Sequence, residues 1–286
     1  MPARIVERIG SNRRLRAVAD RVIRRLDPLV RPGPVKTAAS GAWMGHRLHP
    51  MLTDAVIGTW TSAVILDWWG GDRAGPAADR LIAAGLVASL PTTVTGLSDW
   101  TDVDGRARAT ALVHAVSNGV AGALFALSLR DRYRGRRRRA RVSALAGASA
   151  LGAGGYLGGH LSYVNGVGVD HTAFRSGPAE WTRVLHEDEL PHGALRAVAA
   201  GERDVLLARR HDGLRAFDAR CTHAGAPLVD GQVEPDGEEP AGCLTCPRHR
   251  SVFSLSDGSV RRGPAATPQE RLAVRVADGW IEVRAL

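Results

Sequence analysis

The sequence predicts a two-part protein in which an all-α bundle of four membrane-spanning helices precedes a small all-β domain. Its length of 286 residues is sufficient for two domains. Between residues 48 and 169 the chain contains long apolar segments rich in Ala, Gly, Leu, Val and Ser. After residue 180 it changes to short stretches in which apolar and polar residues alternate, as in half-buried strands.

These composition changes divide the chain into four parts. We assign residues 1–47 to a basic N-terminal segment, 48–169 to a four-helix transmembrane domain, 170–180 to a linker and 181–286 to the β domain. The linker consists of turn-forming and polar residues. The N-terminal stretch is charged throughout, so we expect no cleavable signal peptide there.

Four segments are long enough to span a membrane, which requires about 20 mostly apolar residues. Asp54 and Asp67 lie near the ends of the first segment, where a charge costs less than at the bilayer centre. The segments lack a polar face at the helical period, which disfavours a soluble bundle. The predicted spans are Met51–Gly71, Leu81–Ser98, Ala109–Leu129 and Val142–Val169.

Three stretches in this region, "HPMLTDAVIGTWTSAVILDW", "TGLSDW" and "YLGGHLSYVNGVGV", resemble a family of uncharacterised four-helix bacterial membrane proteins. The resemblance covers roughly residues 45–170. It implies a multi-pass protein of the bacterial cytoplasmic membrane, in contact with lipid, and it implies no activity. The positive-inside rule gives conflicting assignments, because four spans place residues 1–47 and the arginine run 130–141 on opposite sides. We expect the β domain on the cytoplasmic side.

The formal net charge of +9 does not predict nucleic-acid binding. Nearly all of the positive charge is arginine, with Lys36 the one lysine, which indicates a compositional bias. The densest run, at 130–141, lies between two apolar segments and is typical of a juxtamembrane loop.

Three histidines are candidates for a site in the membrane region. His114 lies in the third span, His160 in the fourth, and His49 just before the first. Ionisable residues within a membrane are costly and often functional. Two histidines from different helices would suit a haem b or a quinone. The alternative is that each is neutral and hydrogen-bonded to a neighbouring helix.

Two short motifs in the β domain each combine a cysteine with a histidine, as Cys221-x-His223 and Cys246-x-x-His249. A zinc ion would use all four side chains tetrahedrally, giving a zinc-stabilised, non-redox binding module. A Rieske [2Fe–2S] cluster would place two cysteines on one iron and two histidines on the other. Loops that each supply one Cys and one His meet this requirement directly. Zinc sites more often separate the cysteines from the histidines, so the spacing favours the cluster.

The stretches "CTHAGAPL" and "CPRHRSVFSLSDGSVRRGPA" resemble the Rieske iron–sulfur family across nearly the whole of 181–286. The resemblance implies that Cys221 and Cys246 bind the inner iron and that His223 and His249 bind the outer iron. It also implies one-electron exchange with a redox partner protein. Ser251 stands where a hydroxyl donates a hydrogen bond to a bridging sulfide.

The sequence departs from the high-potential members of that family. Ala226 and Arg248 stand where those members carry a disulfide, and Phe253 stands in place of a tyrosine donor. Fewer donors predict a low-to-intermediate reduction potential. Arg248 and Arg250, beside the outer iron, predict an acidic partner. Arg250 is an unexpected residue if the loop requires a positive φ at that position.

The predicted function is therefore one-electron transfer at the membrane, by an electron-transfer protein or by a subunit of an oxidoreductase. One alternative is an enzyme whose helices bind quinone or haem and relay electrons through the cluster. Another is that the helices only anchor a ferredoxin near a membrane partner. Cys243 lies outside the ligand pattern and is expected to be a small buried apolar residue.

Overall fold

The computed structural model describes residues 2–236 and 239–286, and the chain divides into two compact units. The helical unit contains the residues up to Val30 together with Leu48–Val167. The β unit contains Arg31–Arg47 together with Gly168–Leu286. The basic N-terminal segment is thus shared between the two units, and the residues from 170 to 180 belong to the β unit.

The helices follow the apolar segments of the sequence. Each of the four predicted spans corresponds to one long helix, and the arginine run 130–141 covers the end of the third long helix, the turn after it and the start of the fourth. In chain order the helices are α1 (Pro2–Ser11), α2 (Arg13–Leu26), α3 (Pro34–Ser40), α4 (Leu48–Trp69), α5 (Gly75–Trp100), α6 (Ala107–Tyr133) and α7 (Arg137–Tyr163).

The core of the helical unit is built around Trp60. Its ring stacks on Phe125 with the ring centroids 4.3 Å apart, and its indole N–H donates to the carbonyl oxygen of Ile82 at 3.3 Å. A Cβ at Gly85 would lie 2.3 Å from Trp60 Nε1, so the close approach of α4 and α5 requires a residue without a side chain there. The small residues of these segments therefore serve helix packing.

The first predicted span contains a buried acid that is paired. Arg132 of α6 binds both carboxylate oxygens of Asp67 at the end of α4, and both side chains are buried. Arg132 also donates to Asp79 of α5 at 2.8 Å. A buried charge is costly unless it is paired and hydrogen-bonded, and this arrangement satisfies that condition for Asp67.

Two of these helices, α5 and α6, are long and apolar enough to cross a membrane. The predicted helical region is confirmed, whereas crossing by all four long helices stays a prediction. Large apolar side chains are exposed along the bundle. They include Ile57, Ile65, Val87, Leu90, Val94, Val116, Val120 and Leu145.

The β unit contains two antiparallel sheets, and the predicted all-β domain is confirmed. The larger sheet has the order β1-β10-β9-β4-β3-β2, and the smaller has the order β5-β6-β7-β8. Tight turns after Ala200, Arg210 and Ala277 join β2 to β3, β3 to β4 and β9 to β10. The strands are β1 (Thr182–His186), β2 (Leu195–Ala200), β3 (Arg203–Arg210), β4 (Gly213–Asp218), β5 (Gln232–Asp236), β6 (Glu239–Thr245), β7 (Val252–Ser254), β8 (Val260–Arg262), β9 (Arg271–Ala277) and β10 (Trp280–Ala285).

A buried ion network joins the larger sheet to the start of the first Cys-His loop. Arg203 on β3 donates to Asp218 at the end of β4 at 2.8 Å, and both side chains are almost fully buried. Arg203 also binds Glu270 through two hydrogen bonds of 3.0 and 2.6 Å. Asp218 in turn accepts the backbone N–H of Arg220 at 2.7 Å. The network therefore anchors the chain one residue before Cys221.

Candidate iron–sulfur site

The first Cys-His loop connects β4 to β5 and is held by its own backbone. The N–H of Cys221 donates to the carbonyl oxygen of Ala226 at 2.8 Å, and the N–H of Gly225 donates to that of Cys221 at 2.8 Å. Gly225 has a φ of 65°, a conformation that glycine adopts without strain. The hydroxyl of Thr222 donates to Thr267 at 2.9 Å, which ties the loop to the segment before β9.

The second loop connects β6 to β7 and closes in a similar way. The N–H of Cys246 donates to the carbonyl oxygen of Ser251 at 2.8 Å, and the N–H of Arg250 donates to that of Cys246 at 3.1 Å. Arg250 has a φ of 61°, so this position does require the left-handed conformation. A non-glycine residue there costs about 1–2 kcal/mol of backbone strain.

The two loops bring the thiols of Cys221 and Cys246 into contact. Both cysteines are buried and belong to the apolar core between the two sheets. The hydrogen bond between the thiols raises the pKa of Cys221 well above its ordinary value and lowers the pKa of Cys246 to about 6. Backbone N–H groups of His223 and Ala224 also favour the thiolate of Cys221. The pair therefore favours a thiolate on Cys246, which the thiol of Cys221 stabilises by its hydrogen bond.

The same loops bring the imidazoles of His223 and His249 together. Their ring centroids are 4.8 Å apart, with the rings at 72°. His223 is buried, and burial, followed by the charge of Arg47 and other nearby cations, lowers its pKa well below the ordinary value. His249 is half-buried. A neutral imidazole is the form of histidine that binds a metal.

These four side chains fit a [2Fe–2S] cluster. The sulfur donors form one pair and the nitrogen donors form another, and each loop contributes one donor to each pair. Across the described residues, 2–236 and 239–286, no three His, Cys, Asp or Glu side chains are grouped so as to hold one metal ion. One sulfur pair and one nitrogen pair match the two differently ligated irons of a Rieske cluster.

Two further predicted positions lie at the end of the second loop and on the strand that follows it. Ser251 is fully buried, and its oxygen accepts the backbone N–H of Ala265 at 2.8 Å. Phe253 is also buried, in the same core as the two cysteines, and contributes no hydroxyl. Cys243 is buried on β6, opposite Ser254 of β7.

Two of the three candidate histidines in the helical unit contact neighbouring helices. His49 Nδ1 lies 3.0 Å from the carbonyl oxygen of Thr92, and His114 Nδ1 lies 2.8 Å from that of Gly154. Each contact requires the ring proton on Nδ1. The amide nitrogen of Asn118 lies 3.2 Å from His114 Nε2. His160 is half-buried in the last turn of α7. The haem or quinone site stays a prediction.

Sequence reasoning missed several residues next to the Cys-His loops. Arg47, Gly168 and Val169 line a cleft beside His223 together with Thr222, Ala266 and Thr267. The N–H of His171 donates to the carbonyl oxygen of Thr222 at 3.0 Å. Arg47 lies more than 170 positions before the first loop, so no local spacing could have indicated it. The one available signal was the absence of acidic residues from residues 31–47.

Comparisons with known families divide the chain at nearly the same positions as the composition changes in the sequence. The sequence model of the Rieske [2Fe-2S] domain matches residues 180–277. The model of a predicted membrane protein family, DUF2231, matches residues 45–171.

Several characterised proteins are similar to the β unit. The anthranilate 1,2-dioxygenase ferredoxin subunit of Burkholderia cepacia is 30% identical over 105 residues, which are 37% of this chain and 92% of that protein. The cytochrome bc1 complex Rieske iron-sulfur subunit of Streptomyces lividans is 37% identical over 75 residues, which are 25% of this chain and 40% of that protein.

Among solved structures, the ferredoxin of carbazole 1,9a-dioxygenase from Nocardioides aromaticivorans IC177 is 26% identical. The match covers 38% of this chain and all of that one, with a TM-score of 0.34. The near-complete coverage of the Burkholderia ferredoxin subunit and the match of the family model lead to one assignment. The chain belongs to the Rieske [2Fe-2S] family through residues 180–277, and it carries a predicted membrane protein domain of the DUF2231 family at residues 45–171.

Proposed function

We propose that this protein is a membrane-bound Rieske protein that transfers single electrons between a donor and an acidic redox partner. The observation that carries this proposal is the pairing in the site, where Cys221 contacts Cys246 and His223 contacts His249. Each contact joins one residue from the first loop to one from the second.

In the proposed site, Cys221 and Cys246 bind one iron, and His223 and His249 bind the other. When bound, the cluster supplies reversible one-electron chemistry. The chain contributes the geometry and the electrostatics. The backbone N–H groups of both loops stabilise negative charge on sulfur, and the apolar core keeps water away from the cysteines.

We infer a low-to-intermediate reduction potential from the groups around the site. Phe253 provides no hydroxyl donor, and the chain carries Ala226 and Arg248 where high-potential members have a disulfide. Hydrogen bonds and positive charges stabilise the reduced, more negative cluster, so their number sets the potential. Ser251 supplies one hydroxyl, which places the expected potential above that of a site without such a donor.

The proposed partner is a protein with an acidic surface. Arg248 and Arg250 are exposed on either side of His249. An exposed pair of cations at the half-buried ligand would attract acidic side chains and orient the encounter. The rate of reduction by such a partner should fall as the salt concentration rises.

Electron paramagnetic resonance of the dithionite-reduced, full-length protein tests the cluster directly, together with counts of iron and labile sulfide. We expect two irons, two sulfides and the signal of a mixed His/Cys cluster. His223→Gln and His249→Gln should each abolish that signal. His211→Gln, at the turn between β3 and β4, is the matched control and should retain it. One zinc with no sulfide would instead establish the zinc-stabilised module, and a haem Soret band would establish the haem-linked oxidoreductase.

We further propose that all four long helices cross the membrane. Support comes from the exposed apolar side chains on α4 and α7 as well as on α5 and α6, and from the pairing of Asp67 with Arg132. A lipid environment would bury these exposed apolar surfaces, which would otherwise contact water.

Labelling of introduced cysteines with a membrane-impermeant maleimide distinguishes four crossings from two. With four crossings, a cysteine at Arg134, between α6 and α7, lies on the opposite side from a cysteine at Leu286. If only α5 and α6 cross, both positions lie on the same side. Labelling of Arg134→Cys and Leu286→Cys from opposite faces of oriented vesicles would support four crossings, and labelling from the same face would contradict them.

A further inference from the structure

A short segment before the membrane domain belongs to the β unit. Arg31–Arg47, which we call the basic strap, contains Arg31, Lys36 and Arg47 and no acidic residue. Residues 31–44 lie outside both matched family ranges, 45–171 and 180–277. Most of the strap therefore lies outside the two matched ranges, while residues 45–47 fall within the second family's match.

The strap packs directly on the chain that supports the second Cys-His loop. Thr37 Oγ1 accepts the backbone N–H of Gly263 at 3.0 Å, across 226 positions of sequence. A Cβ at Gly263 would lie 2.7 Å from Ser40 Oγ and 3.2 Å from the Cα of Thr37. Two residues further, the N–H of Ala265 donates to Ser251. The strap thus contacts the segment that positions the buried serine of the site.

The strap also brings two cations to the His223 side of the site. Arg47 lines the cleft beside His223, and its Cγ lies 3.6 Å from the Cβ position of Gly168. Lys36 is buried, with 1% of its surface exposed. Lys36 directly precedes Thr37, the residue that contacts Gly263, so this buried cation lies at the strap's contact with the site.

We propose that the basic strap is an integral wall of the iron–sulfur site, and that Lys36 and Arg47 raise the reduction potential from the His223 side. This inference rests on the proposed function, since it requires a redox cluster at His223 and His249. Uptake of one electron from the donor protein adds one negative charge to the site, and release to the acceptor removes it. A fixed cation nearby favours the reduced state, most strongly where water is excluded.

The strap has a second consequence for electron exchange. Its Arg47 lines the cleft beside the buried His223. His249, in contrast, is half-buried, and Arg248 and Arg250 are exposed beside it. The two histidines therefore have different roles. His223 faces the fixed cations of the strap, and His249 is the edge at which an acidic partner docks.

Redox titration of the full-length, detergent-solubilised protein, followed by electron paramagnetic resonance, tests the strap. At a fixed ambient potential, Lys36→Met and Arg47→Met should each lower the ratio of reduced to oxidised cluster about tenfold, which is 59 mV for one electron. Lys36→Arg and Arg47→Lys keep the charge and should retain the wild-type potential. Arg196→Met removes a charge from the β2 strand, outside the Cys-His loops, and should cause no shift.

A second pair of variants tests the contact between the strap and Gly263 without changing any charge. Thr37→Val removes the acceptor for the N–H of Gly263 and should shift the potential downward, while Thr37→Ser keeps the acceptor and should not. A normal cluster signal with unchanged potentials in Lys36→Met, Arg47→Met and Thr37→Val would overturn the inference. If Lys36→Met does not fold, the other two variants decide. Absence of the signal from the wild-type protein would overturn the proposed function instead.

Discussion

Ser251 accepts a hydrogen bond of 2.8 Å from the backbone N–H of Ala265, and its side chain is fully buried in the second Cys-His loop. A hydroxyl that accepts one bond still has its proton to donate. The bond to Ala265 therefore orients the hydroxyl while leaving it able to act as a donor toward the cluster.

We expect Ser251→Ala to lower the reduction potential by about 65–130 mV, because a hydrogen bond to a charged group contributes roughly 1.5–3 kcal/mol. Ser254→Ala is the matched control. Ser254 is equally buried and accepts the N–H of Ser256 at 3.0 Å, but it lies outside the loop. Redox titration should show a shift for Ser251→Ala alone, and equal shifts in both variants would contradict the role of this hydroxyl.

Cys246 and Cys243 should respond differently to substitution. Cys246→Ser should lose the cluster, because the thiolate is the ligand and the site lies in an apolar core. Cys243→Ala should keep the full iron and sulfide content, since Cys243 packs on β6 opposite Ser254. Metal and sulfide analysis of the purified variants checks both outcomes. Loss of iron from Cys243→Ala would show that the ligand set is wrong.

Arg250→Gly should stabilise the β unit by about 0.5–1 kcal/mol. Glycine adopts the observed φ of 61° without the strain of a side chain, although it raises the entropy of the unfolded chain. Arg248→Gly removes a neighbouring charge at a position without a positive φ, so it should not stabilise. Thermal unfolding followed through the cluster absorbance measures both, and equal destabilisation by the two variants would argue against strain at Arg250.

Arg203→Met should destabilise the β unit by roughly 1.5–3 kcal/mol, because the buried Asp218 loses one of its two arginine partners and keeps Arg175. Arg196→Met breaks an exposed pair with Glu189 and should cost less than about 1 kcal/mol. Denaturant unfolding of the two variants compares a buried ion pair with a surface pair in the same sheet. Similar values for both would mean that the network near Cys221 contributes little.

Leu90→Arg should impair membrane integration, because Leu90 lies in the middle of α5 with 67% of its surface exposed. An arginine at the centre of a membrane helix costs about 3 kcal/mol on the insertion scale, whereas an exposed position in water tolerates it. Leu286→Arg, at the exposed C-terminus, is the control. Fractionation of membranes after alkaline washing measures the effect, and unchanged recovery of Leu90→Arg would place Leu90 outside the lipid.

Much of the fold could be predicted from local pattern. Alternation of apolar and polar residues indicated the strands of the β unit, and long apolar segments indicated α4 to α7. The Cys-x-His and Cys-x-x-His motifs indicated a site because each ligand pair lies within a few residues. Asp67 was recognised as a charge near a span end, but its partner Arg132 is 65 positions away, and no local rule joins them.

The strap was missed for the same physical reason. Thr37 and Gly263 are brought together only by the tertiary fold. No sequence pattern around Thr37 indicates that its hydroxyl accepts a hydrogen bond from so distant a residue. Arg250 illustrates a different limit. The sequence raised the question of whether position 250 needs a positive φ. Only the observed backbone angle establishes that the loop keeps this conformation with an arginine there.

The membership of Arg31–Arg47 in the β unit also constrains how the chain threads a bilayer. The polypeptide leaves this unit at residue 47 and rejoins it at residue 168. A folded body cannot be divided between two aqueous compartments, so the intervening stretch must return to the compartment from which it departed. The number of traverses is consequently even, and any arrangement with one or three is incompatible with an assembled β unit.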